Sequence, residues 1–140
     1  MRKINKIIVH CTATPEGREV TKEDLKKWHV DERGWSDIGY HFFIDLQGDL
    51  HECRPIERTG AHCKGQNFDS IGIAYAGGSD KDGNPKDTRT KIQKAALEDF
   101  LCYLKVLYSE AKIYGHRDFS KKACPSFDAR LEYEWISNQF

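Results

Sequence analysis

The chain has 140 residues, and its 22 Lys and Arg balance 22 Asp and Glu to a formal net charge of zero. A length near the usual ~150 residues per domain points to one domain with a core of its own. Zero net charge argues against a broad basic face for nucleic acid or anionic lipid, and 39% hydrophobic with 31% charged residues argues against disorder.

The only apolar run near the start is Ile7-Ile8-Val9, too short for a signal-peptide core or a membrane span. Residues 4–11, rich in β-branched side chains, read as a buried strand. A turn with Pro15 and Gly17 follows. Thr21 is placed to cap a helix, with Asp24 as its capping-box partner and Val20 and Leu25 as a hydrophobic staple. That helix is predicted to run to about Arg33 and stop at Gly34. Residues 39–46 and 49–53 read as a hairpin around Gln47-Gly48. Residues 54–69, with Pro55, Gly60 and Gly65, read as irregular. Residues 70–76 form a second apolar strand closed by Gly77-Gly78, and residues 79–89 an exposed polar loop. Thr90 and Gln93 frame a capping box for a helix over 90–109. Its apolar stripe is read as Ile92, Ala96, Phe100, Tyr103 and Leu107. Residues 112–115 read as a short strand and 118–125 as a loop, with a last helix from Ser126 or Asp128. The alternation predicts an α/β fold: a single domain over residues 1–140, with a central mixed sheet flanked by about three helices.

Six histidines and five cysteines supply the candidate chemistry. The odd, widely spaced cysteines suit reduced thiols or metal ligands better than a disulfide framework. His10 falls at the end of the first strand, His116 just after the short strand at 112–115, and Cys124 in the loop beyond. Two imidazoles and a thiolate suit zinc, and three protein ligands leave a fourth position for water, as in catalytic sites. Spacing alone leaves two readings open, because a strand-end His is commonly just hydrogen-bonded and a lone Cys commonly a small buried hydrophobe. No C-x-x-C or H-E-x-x-H decides between them.

Five strings stand in a telling order. They are Val9-His10-Cys11-Thr12-Ala13-Thr14; Gly34-Trp35-Ser36-Asp37-Ile38-Gly39-Tyr40-His41-Phe42, preceded by Trp28-His29; Gly60-Ala61-His62-Cys63-Lys64-Gly65 with Asn67, then Ser70-Ile71-Gly72-Ile73; Gly115-His116-Arg117-Asp118; and Lys122-Ala123-Cys124-Pro125-Ser126-Phe127-Asp128. Together, over residues 4–135, they resemble the type 2 N-acetylmuramoyl-L-alanine amidases, which include phage lysozyme-like amidases and the peptidoglycan recognition proteins.

The resemblance implies Zn²⁺ held by His10, His116 and Cys124, with Tyr40 and Lys122 catalytic. It implies hydrolysis of the amide between N-acetylmuramic acid and L-alanine in peptidoglycan, as in a phage or bacterial endolysin that degrades the cell wall. A bound zinc ion would lower the pKa of its water and polarise the carbonyl. Lys122 would stabilise charge developing on oxygen, sharing the face of Cys124 if residues 122–124 are extended; the bland alternative is a solvated lysine beside Lys121. Tyr40 would hydrogen-bond the reacting species, with core packing as its alternative. Strand alternation would put Tyr40 and Phe42 on one face and His41 on the other, making His41 a doubtful ligand and instead a satisfied core histidine or one that supports the ligands from behind. Cys11 should point opposite His10.

His62 and Asn67 are candidates for lining the substrate cleft, against a surface His and a turn Asn. Trp28 and Trp35 read as packing, and His29 and His51 take no role. The expected partner is peptidoglycan or a muropeptide, with no nucleic acid, no membrane insertion, and a monomeric chain. Lacking an export segment, the chain is expected to be made in the cytoplasm and to reach the wall after release or delivery. A recognition module that binds peptidoglycan without cutting is the alternative. Retention of Cys124, Tyr40 and Lys122 argues against it.

Overall fold

The computed structural model describes residues 2–139. In chain order its elements are β1 (Lys6–Cys11), β2 (Thr14–Pro15), α1 (Lys22–Lys26), β3 (Phe42–Ile44), β4 (Leu50–Glu52), β5 (Ser70–Tyr75), β6 (Gly78–Ser79), α2 (Lys91–Leu107), β7 (Lys112–Gly115), α3 (Ala129–Glu132) and α4 (Glu134–Ser137). Five strands make one mixed sheet in the order β4-β3-β5-β1-β7, in which only the β3–β4 pair is antiparallel. This is the expected α/β architecture, with four helices where about three were expected. Among the described residues no helix is long and apolar enough to cross a membrane.

The central strands are buried on both faces, as parallel strands covered on both sides must be. Alternation along β1 and β5 sorts their side chains. Ile7, Val9 and Cys11 join Ile71, Ile73 and Tyr75 in the larger core, with Leu97, Leu101 and Leu104 of α2. On the other face Ala74 joins Phe43, Leu25, Val20 and Ile38 in a smaller cluster. Cys11 thus lies on the core face, opposite His10, as strand geometry requires.

Local signals behave as predicted at both long-helix starts. The Thr21 side chain accepts from Asp24 N–H and Asp24 answers to the Thr21 backbone; Thr90 and Gln93 do the same. Val20 and Leu25 are buried together. The first helix does not stop at Lys26 but widens into a π-helical segment over Lys27–Glu32 and ends at Gly34, whose φ of +74° needs glycine.

Three expectations are corrected. The stripe Ile92, Tyr103 and Leu107 faces solvent, and Gln93, Leu97, Leu101, Leu104 and Lys105 are the buried face of α2. Both stripes have helical period, so periodicity identifies the helix without choosing its inner face. The segment 79–89 is not wholly an exposed loop. Gly78–Ser79 pairs with Thr14–Pro15 in a small parallel sheet. Arg89 is buried, bonded to Asp87, Glu132 and the Tyr133 hydroxyl, with its guanidinium 3.4 Å from the Phe127 ring centre. Two carboxylates and an aromatic face let that charge leave water. Finally, β3 begins only at Phe42, so alternation does not reach back to Tyr40. Phe42 packs in the larger core, whereas Tyr40 packs beside Phe43 in the smaller cluster.

The inner face of α2 is testable by truncation. Leu101→Ala should cost about 2–5 kcal/mol and Val106→Ala, on the exposed face, within about 0.5 kcal/mol, read from urea unfolding midpoints. Equal costs would contradict the packing described.

Candidate metal centre

His10 and His116 are delivered by neighbouring parallel strands. Val9 sits opposite Gly115 in the β1–β7 register, so the next residue on each chain is a histidine, and the two rings lie 4.6 Å apart between centres. The end of β7 is turned by Gly115 N–H donating to Asp118 Oδ2 at 2.8 Å. Cys124 is brought back by a pinned loop. Arg117 N–H donates to Cys124 O, Tyr75 Oη to Pro125 O and Ser126 Oγ to Gly78 O, at 2.7, 2.6 and 2.7 Å.

One ligand atom each from His10, His116 and Cys124 falls within 4.8 Å of the others, so these three could hold one metal ion. The donor set fits such an ion chemically. Burial, then neighbouring His62, His116 and Lys122, holds His10 well below the ordinary imidazole pKa, so its ring is neutral. His116 is lowered by burial and by Lys122. The Cys124 thiol is pushed up by its hydrogen bond with Cys11 and by burial. A dication against that sulfur would reverse the balance, since a coordinating thiol is deprotonated outright. Cys11 N–H, 3.2 Å from Cys124 Sγ, is a further donor to the sulfur.

The other candidates are placed as follows. Tyr40 faces His10, with ring centres 5.3 Å apart, and lines the cleft with the three ligating candidates. Burial, then Cys124, pushes its phenol above the ordinary range, so it stays a proton donor. Lys122 is exposed and lines the same cleft beside Cys124, whereas Lys121 does not. His62 also reaches the cleft, yet it is buried and bonded to His10 and Ser70. Asn67 lines an adjoining part of the cleft, and its Oδ1 accepts from the N–H groups of His62 and Cys63, each at 3.0 Å.

His41 is the satisfied core histidine expected. Its Nδ1 accepts from Gly72 N–H at 3.1 Å, and its Nε2 lies 2.8 Å from Arg58 O. Trp28 and Trp35, read as packing, are half-buried walls of the cleft, with Arg18 and Arg33 stacked over them. His29, given no role, accepts from Gly39 N–H at 2.9 Å and so steadies the approach to Tyr40. Gly72, inside a strand, is the overlooked signal, because an interior strand glycine often marks a close approach. A Cβ there would stand 2.5 Å from the His62 ring.

Residues 1–127 match the family described as N-acetylmuramoyl-L-alanine amidase. The chain belongs to this family. It is 40% identical over 138 residues to an endolysin of Klebsiella phage KP32, covering 99% of this chain and 89% of that one. It resembles the structure of N-acetylmuramoyl-L-alanine amidase LysC from Clostridium intestinale URNW with a TM-score of 0.82 at 27% identity, covering 99% and 88% of the two chains. It also resembles peptidoglycan recognition proteins LCa and LCx, solved as an ectodomain complex bound to tracheal cytotoxin, with a TM-score of 0.78, 28% identity and coverage of 96% and 82%. These relatives and the family support amidase activity for this chain.

The buried imidazoles of this amidase predict its acid response. Burial above all holds His29 and His41 down to about 4, and His10 and His62 shift the same way. Below about pH 6.5 the unfolded chain binds protons that the native rings refuse. The stability contributed by the neutral rings is therefore complete above about 6.5 and is lost as the pH falls toward 4. Thermal unfolding of the chelator-treated protein should show Tm dropping across that window, and a flat Tm between about pH 7 and 5 would contradict it.

Proposed function

We propose that the chain is a zinc-dependent N-acetylmuramoyl-L-alanine amidase that cuts the amide between N-acetylmuramic acid and L-alanine of peptidoglycan. The observation that carries this reading is the convergence of His10, His116 and Cys124 within 4.8 Å at the floor of a cleft that Tyr40 and Lys122 also line. Zinc in that trio would supply a Lewis acid and an acidified water at neutral pH. Everything else falls to the chain's own groups.

An amide is a poor electrophile with a poor leaving group, so negative charge must be stabilised at oxygen and a proton delivered to nitrogen. Lys122 provides a cation at the cleft to oppose the negative charge that develops on oxygen. Tyr40, protonated and with its ring held between His10 and His29, brings a hydroxyl to the cleft. It can donate to the developing oxyanion or pass a proton toward the leaving nitrogen. The half-buried Trp28 and Trp35 wall the cleft where a glycopeptide would lie, with Asn67 further along. The tracheal cytotoxin bound by the LCa–LCx pair supports a muropeptide as the ligand class.

Two substitutions test the assignment. Cys124→Ser should weaken zinc binding and abolish release of stem peptides from purified walls, followed by mass spectrometry with metal analysis of the same sample. Full zinc and full activity in that variant would remove Cys124 from the ligand set. Lys122→Ala should retain zinc and slow turnover about 10²–10³-fold, and an unchanged rate would return Lys122 to the plain surface. Wild-type protein that binds muropeptide without releasing peptide would favour the recognition module instead.

A further inference from the structure

We propose that His62 is a positioning residue of the metal centre, holding His10 by its outer ring nitrogen so that the inner nitrogen faces the ion. The inference rests on reading His10, His116 and Cys124 as zinc ligands. His10 Nε2 lies 2.8 Å from His62 Nδ1, and His62 Nε2 lies 3.2 Å from Ser70 Oγ. The other nitrogen of His10, Nδ1, lies 3.8 Å from Cys124 Sγ and so points into the ligand cluster.

A ligating nitrogen must offer a lone pair, and a neutral imidazole carries one N–H. Ligation through Nδ1 therefore puts the His10 proton on Nε2, where it donates to His62 Nδ1. His62 must then carry its own proton on Nε2, where it donates to the Ser70 hydroxyl. The chain of bonds has one consistent direction. Its reverse would place a proton on His10 Nδ1, facing the ion. Metal-bound histidines generally need such a partner on the outer nitrogen to fix tautomer and ring angle.

The surroundings of His62 suit a fixed support. A Cβ at Gly72 would stand 2.5 Å from its Cγ and one at Gly60 2.7 Å from its Cδ2, so two glycines make room for the ring. The Asn67 side chain pins the backbone of His62 and Cys63. Both ring nitrogens are engaged within the protein, and the residue is 9% exposed. A substrate contact would need the ring to abandon one of these bonds.

Zinc affinity, measured on chelator-stripped protein by competition with a zinc-binding dye, tests this without relying on turnover. His62→Ala should weaken zinc binding about 10–100-fold. His62→Asn, whose Oδ1 can accept from His10 Nε2–H, should recover most of that loss. In zinc-loaded wild type the His10 Nε2–H proton should give a slowly exchanging NMR resonance, which His62→Ala removes. Unchanged zinc affinity in His62→Ala with a raised KM for muropeptide would overturn the inference and leave His62 as a substrate contact. Equal losses in His62→Ala and His62→Asn would overturn it too, because packing rather than the acceptor would then matter. Should His62→Ala not fold, Ser70→Ala is read in its place. Weaker zinc binding with a faster-exchanging His10 resonance supports the inference, and no change in either overturns it. Wild type that binds no zinc would overturn the metal reading and this inference with it, which keeps the two failures apart.

Discussion

The parallel pairing of β1 with β7 is the constraint from which the site follows. Parallel neighbours end on the same edge of a sheet, and open α/β sheets collect their ligands beyond the carboxyl ends of their strands. Here Val9 and Gly115 are partners, and each is followed by a histidine. No long-range loop search is needed to bring His10 and His116 together, because sheet formation does it. Cys124 is different in kind. It returns on an irregular loop that must be tied down at Arg117, Tyr75 and Gly78 before its sulfur has a fixed place.

The electrostatics of the cleft are set by burial more than by charge count. A chain of zero net charge still gathers His10, His62 and His116 at one point, and there each ring is held neutral. Three cations there would repel one another and any metal. Three neutral rings offer lone pairs. The same desolvation keeps Tyr40 protonated. One physical effect therefore prepares both the ligands and the proton donor, and exposed Lys122 and Arg33 bring positive charge to the cleft.

Much of this was legible in the residues. Caps at Thr21 and Thr90 and the hairpin at Gln47-Gly48 act through neighbours in sequence, and the structure has them. What escaped the sequence depended on which of two chemically equal choices the tertiary context favours. The helix at 91–107 carries two apolar stripes, and nothing local says which meets the sheet. Arg89 looked like loop polarity because its partner Glu132 is far along the chain. Tyr40 was read as continuing a strand that starts at Phe42, so its face was assigned wrongly; its ring lies 5.3 Å from that of His10. Strand-end and loop positions suggested the ligand trio, and the family resemblance chose between its two readings. It did not supply the bond from His10 to His62, which needs coordinates to be seen.

The alternation of β1 ties stability to chemistry. Ile7, Val9 and Cys11 fill the larger core, and Ile8 and His10 belong to the other face. A strand has a side-chain period of two, so sliding β1 by one residue against β5 would turn His10 into the core and Val9 into the cleft. That slip would bury an imidazole among aliphatic side chains without its partner and strip the core of its branched residues. Each penalty is of the kind that costs several kcal/mol. The apolar residues of β1 therefore do more than stabilise the sheet. By disfavouring a one-residue slip, they hold His10 on the cleft face, where its ring meets His62 and Cys124.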